Sequence, residues 1–77
     1  MIRFRLKELM AEKSFQEGRR LTYEEIAQAT GINRTTLSKI ANQKGYNTTT
    51  DNLDALCAYF DCSVCELAER VKEIPNE

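Results

Sequence analysis

Apolar residues return at helical spacing along most of the chain. Leu53, Leu56, Cys57 and Phe60 stand at i, i+3, i+4 and i+7, and Val64, Leu67, Ala68 and Val71 repeat that spacing. Each set makes one buried stripe of an amphipathic helix. Leu6, Leu9, Met10 and Lys13 share a face over about residues 5–14, and Ile26, Ile32, Leu37 and Ile40 mark two shorter helices. The pattern predicts helices at about 5–14, 22–30, 33–42, 50–60 and 63–72. The ends of the chain are ambiguous. Ile2 and Phe4 alternate with Arg3 and Arg5, which fits a short strand as well as a helix start. The segment Val71-Lys72-Glu73-Ile74 before Pro75 fits either a continued last helix or a strand paired with that N-terminal one. Residues 14–20 (SFQEGRR) read as a connector that breaks at Gly18, with Phe15 turned into the core.

Polar residues fix the helix starts more sharply than the apolar pattern does. Thr22-x-x-Glu25 between Leu21 and Ile26, and Ser63-x-x-Glu66 between Cys62 and Leu67, have the form of a capping box with a hydrophobic staple. Asn33 is a good N-cap, with Ile32 and Leu37 placed to staple around it. Such caps satisfy first-turn N–H groups and contribute about 1 kcal/mol each.

Residues 22–42 meet the requirements of two helices crossing steeply over a short link. Ala27 is small where the first helix meets the second, Gly31 adopts the positive φ of the turn, and Ile26, Ile32, Leu37 and Ile40 fill the angle. Because Leu37 and Ile40 face inward, the opposite face of helix 33–42 presents Arg34, Thr35, Ser38 and Lys39, with Asn33 at its tip. A helix with such a face suits the DNA major groove. Arg34 can donate two hydrogen bonds to guanine, Lys39 can reach the same acceptors or a phosphate, and Thr35 offers a hydroxyl and a methyl group. Thr22, Tyr23, Thr36, Asn42, Lys44 and Tyr46 are candidates for phosphate contact, together with the backbone N–H groups that open helix 22–30.

Charge alters this picture less than its sum suggests. The 77 residues carry 11 Lys/Arg and 12 Asp/Glu, a net charge of −1, which by itself disfavours a polyanionic partner. The charges are segregated. Residues 1–50 carry nine Lys/Arg against five Glu, a net +4, and residues 51–77 carry two against seven, a net −5. A basic front and an acidic back can orient a protein on nucleic acid.

At this point residues 4–72 resemble the Cro and phage-repressor (Xre-like) helix-turn-helix family. The match includes the first helix, the 22–42 motif, a polar loop at 43–49, and the closing pattern Leu53-x-x-Leu56-Cys57-x-x-Phe60-Asp61-Cys62 followed by Leu67. The resemblance implies an all-α, five-helix, lambda-repressor-like domain over residues 1–77, with a short tail at 73–77. It places the family's base-contacting positions on Asn33, Arg34, Thr35 and Lys39. It implies a transcriptional regulator, a repressor that binds a palindromic operator on double-stranded DNA as a homodimer. The chain departs from the family pattern in its longer connector before residue 22. It also has Thr30 where an apolar residue is frequent, Tyr23 where Gln is frequent, and Tyr46 and a Thr run in place of a Pro in the loop.

The remaining chemistry is sparse. Three Cys and no His cannot complete a usual four-ligand zinc site, so no metal or cofactor is expected. Cys57 and Cys62 fall at positions that suit small buried hydrophobes, and the Cys62-x-x-Cys65 spacing leaves a redox role open. The chain has no nucleophile–base constellation and no glycine-rich phosphate loop, which argues against an enzyme. It has no apolar run long enough to span a membrane and no signal-peptide core, so a cytoplasmic location is expected. The rival reading is a protein-interaction module, such as the antitoxin of a toxin pair, with the acidic back half serving the partner.

Overall fold

The computed structural model describes residues 1–72. In chain order the elements are β1 (Ile2–Phe4), α1 (Leu6–Glu17), α2 (Tyr23–Thr30), α3 (Arg34–Asn42), α4 (Thr50–Phe60), α5 (Val64–Leu67) and β2 (Ala68–Arg70). The fold is the expected set of five helices, closed by a two-stranded antiparallel ribbon. Phe4 faces Ala68, Arg3 faces Glu69 and Ile2 faces Arg70.

The helix starts follow their caps. The Thr22 hydroxyl accepts the Glu25 N–H at 3.2 Å, Asn33 Oδ1 accepts the Thr35 N–H at 2.7 Å, and the Thr49 hydroxyl accepts the Asn52 N–H at 3.1 Å. At Ser63 the backbone N–H and the hydroxyl both donate to the Glu66 carboxylate, at 3.0 and 3.1 Å. These bonds favour the charged form and hold the Glu66 pKa below its ordinary value. Only half of the box expected at Thr22 forms, because the Glu25 carboxylate turns away to Arg19 at 2.6 Å.

Three expectations are corrected. First, α1 runs to Glu17 rather than ending near residue 14. Gly18 (φ 66°) terminates it with the Gly18 N–H on the Phe15 carbonyl and the Arg19 N–H on that of Ser14. The extra turn carries Phe15 outward, where it is 83% exposed instead of tucked into the core. The connector is pinned elsewhere, by the Leu21 N–H on the Ser14 hydroxyl at 3.0 Å.

Second, the last helix is a single turn, α5, and not a helix over 63–72. The Arg5 N–H takes the Leu67 carbonyl at 2.7 Å, and the Val71 N–H takes the Met1 carbonyl at 2.8 Å. Continuing the helix would leave the polar backbone of β1 without a partner, so the chain switches to the ladder at Ala68. Third, the stripes are less buried than expected. Val64 is exposed and Ala68 and Val71 are half-buried, leaving Leu67 as the buried member of its set. In α4 Leu56 is buried while Leu53, Cys57 and Phe60 are half-buried. The tail expected at 73–77 lies outside the described residues.

The core consists of Leu6, Leu21, Ile26, Ile32, Leu37, Ile40, Leu56 and Leu67. Every helix contributes at least one of them, and α2 and α3 with their flanks contribute five. Each such side chain contributes roughly 1.5–3 kcal/mol by leaving water. The greatest share of the burial therefore fixes α3 against α2. Among the described residues no polar or charged residue is buried.

Candidate nucleic-acid interface

The link between α2 and α3 is three residues long. Gly31 has φ 79°, and its N–H donates to the Ala27 carbonyl at 2.8 Å, closing α2 with a left-handed cap. Thr30, at a position where the family favours an apolar residue, completes the turn. Its hydroxyl donates to the Ile26 carbonyl at 2.7 Å and accepts the Ile32 N–H at 3.2 Å. One side chain thus joins the last turn of α2 to the residue that re-enters the core before α3.

This turn leaves the outer face of α3 open. Asn33, Arg34, Thr35 and Lys39 are all exposed, and Leu37 and Ile40 are buried beneath them. Asn33 Oδ1 is engaged in the cap, which leaves its amide N–H₂ without a partner among the described residues. Ser38 is half-buried rather than presented, with its carbonyl taken by Asn42 Nδ2 at 2.9 Å.

Four of the six residues expected at phosphates occupy two places. At the start of α2, Thr22 is exposed and Tyr23 half-buried. At the far end of α3, Asn42 and Lys44 are exposed. Asn42 Nδ2 also lies 3.4 Å from the Tyr23 hydroxyl, so Tyr23 and Asn42, 19 residues apart, form one polar contact between the two helices. Thr36 is half-buried, and Tyr46 is packed against the core with its N–H on the Gln43 carbonyl at 3.3 Å. The aromatic body of Tyr46 therefore anchors the loop.

The cations divide into two groups. Arg5 binds Glu69 at 2.6 Å, Arg3 binds Glu8 at 2.7 Å, Lys13 binds Glu17 at 3.2 Å, and Arg19 binds Glu25 at 2.6 Å and Glu17 at 3.0 Å. The hydrogen bond and charge of Glu25 raise the Arg19 pKa above its ordinary value. Lys7, Arg20, Arg34, Lys39, Lys44, Arg70 and Lys72 have no acidic partner among the described residues. Arg20 was absent from the expected contacts. It lines a concavity of about 470 Å³ together with Arg34, Thr22, Tyr23 and Glu24. In the sequence it is half of an Arg-Arg pair, and nothing local distinguishes it from Arg19.

Among the described residues no group of three or more Cys, Asp or Glu could hold a metal ion, and no helix is long and apolar enough to cross a membrane.

Comparison with known proteins agrees with this geometry. No curated protein matches the chain. The crystal structure of a transcriptional regulator from Listeria innocua is similar in fold, with a TM-score of 0.59 at 20% sequence identity, covering 97% of this chain and 67% of that one. The family model for the Cro/C1-type helix-turn-helix DNA-binding domain matches residues 5–73, and the chain belongs to that family.

Proposed function

We propose that this protein is a sequence-specific transcriptional regulator, a repressor that binds a palindromic operator as a dimer with α3 in the major groove. The observation that carries this reading is the outer face of α3. Arg34, Thr35 and Lys39 are exposed, and neither cation has an acidic partner among the described residues, while acidic side chains neutralise most other cations of the N-terminal half. In this reading Arg34 reads guanine, Thr35 meets a thymine methyl or a polar base edge, and Lys39 contacts a base or a phosphate. Asn33 contributes through its free amide. Thr22, Tyr23, Thr36, Asn42, Lys44 and Tyr46 set register on the backbone. A surface this small favours two half-sites, which requires a two-fold dimer.

Selection of bound duplexes from a random pool tests the whole reading. A palindromic enriched motif is expected, and Arg34→Ala is expected to weaken binding to it by about 1–3 kcal/mol and relax one base position. An unchanged preference in Arg34→Ala would remove α3 as the reading element.

A second reading, an antitoxin or adaptor, draws support from Phe15 and Val64, apolar side chains outside α3 that are 83% and 56% exposed. Partner capture that persists after Arg34 and Lys39 are replaced would favour it.

A further inference from the structure

The unpaired cations include two that the reading above does not use, Arg20 and Lys7, and they lie at opposite ends of α3. Arg20 shares its concavity with Arg34 at the start of that helix. Lys7, near the start of α1, shares a second concavity of about 360 Å³ with Asn42 and Lys44 at the end of α3. The acid beside Lys7 in sequence, Glu8, is occupied by Arg3 at 2.7 Å. A helix of nine residues is about 13 Å long, close to the roughly 12 Å width of the major groove. A helix lying across the groove therefore brings its two ends toward the two phosphate backbones that rim it.

We infer that Arg20 and Lys7 are phosphate contacts, one at each rim of the groove, and that the connector at residues 18–22 between α1 and α2 serves to place Arg20 there. The inference rests on the DNA-binding reading of α3. One carboxylate opposes it locally. Glu24, which has no cationic partner among the described residues, lines the Arg20 concavity and repels a phosphate. Arg19 is the internal control, because Glu17 and Glu25 already neutralise it.

The test is binding of the full chain to a fluorescently labelled duplex, carrying either the enriched motif or a scrambled one, measured across a salt series. Arg20→Ala and Lys7→Ala are each expected to weaken both duplexes by the same factor. Each should flatten the slope of log affinity against log salt by about 0.9, the value for one phosphate contact. Arg20→Lys should retain the slope, Glu24→Gln should tighten both duplexes, and Arg19→Ala should leave the slope unchanged. Circular dichroism melts confirm that each variant is folded. An unchanged slope in folded Arg20→Ala and Lys7→Ala, with the wild type binding normally, overturns the inference and spares the DNA-binding reading. An equal loss in Arg19→Ala also overturns it, because pairing would then not separate contacts from bystanders. Failure of the wild type to bind any duplex overturns both.

Discussion

Replacing Thr30 with Val removes one hydroxyl from the turn on which the interface depends. The structure gives the hydroxyl two bonds, to the Ile26 carbonyl at 2.7 Å and from the Ile32 N–H at 3.2 Å. The two losses are unequal. The Ile26 carbonyl lies midway along α2 and loses one hydrogen bond, at a cost of about 0.5–1 kcal/mol. The Ile32 N–H belongs to a residue only 6% exposed, and it loses its acceptor, at about 1–3 kcal/mol. The added methyl is half-buried and recovers less than the roughly 0.8 kcal/mol of a fully buried one. The net expectation is a loss of about 1–3 kcal/mol. With a urea m-value of about 1 kcal/mol/M for so small a chain, the unfolding midpoint falls by about 1–3 M. Thr30→Ser keeps the hydroxyl and should stay near the wild type. Amide exchange locates the effect, since the Ile32 N–H should lose protection in the Val variant and keep it in the Ser variant. An unchanged midpoint and a still-protected Ile32 amide in Thr30→Val would refute the claim that this hydroxyl holds the turn.

Three further outcomes are expected. Gly31→Ala should cost about 1–2 kcal/mol in thermal melts, because φ is 79° while no atom lies within 4 Å of an added Cβ, so the loss is backbone strain without a clash. A double-mutant cycle on Arg5→Ala and Glu69→Gln should give a coupling below about 1 kcal/mol that fades with salt, since those side chains remain 40% and 27% exposed. Mass-spectrometric alkylation rates should place Cys65, which is exposed, ahead of Cys62. Burial first, and then neighbouring Cys57, push the Cys62 thiol up to about 11, so it stays protonated at pH 8 and its rate should climb until pH nears 11.

The legible features of this sequence are those decided within a few residues. The caps at Thr22, Asn33 and Ser63 and the left-handed turn at Gly31 each depend on a local pattern, and each stands where the sequence places it. The end of α5 was not legible. Leu67, Ala68 and Val71 fit a helical stripe, and the competing strand exists only because Phe4 faces Ala68 from 64 residues away. Phe15 fails for a related reason. Its apolarity suggests burial, but the phase of a helix extended to Glu17 and closed by Gly18 points it to solvent. Tyr23 and Asn42 could each be named as polar surface candidates, yet their contact required the crossing of α2 over α3.

Charge gives the sharpest case of a quantity whose sum misleads. A net charge of −1 argues against DNA, and even the +4 of residues 1–50 does not say where a polyanion would sit. Pairing does. Glu8, Glu17, Glu25 and Glu69 consume Arg3, Arg5, Lys13 and Arg19, none of which belongs to α3. These pairs leave Arg20, Arg34, Lys39 and Lys44 as unpaired cations in and beside the helix-turn-helix, with Lys7, Arg70 and Lys72 outside it, and a neutralised pair projects little field beyond a Debye length of about 8–10 Å. Three of these acids come from the ribbon and α1, so fold and electrostatics are coupled. The antiparallel register that ends α5 also brings Glu69 against Arg5. A chain in which α5 continued as a helix would lose that juxtaposition and leave Arg5 as a further unpaired cation.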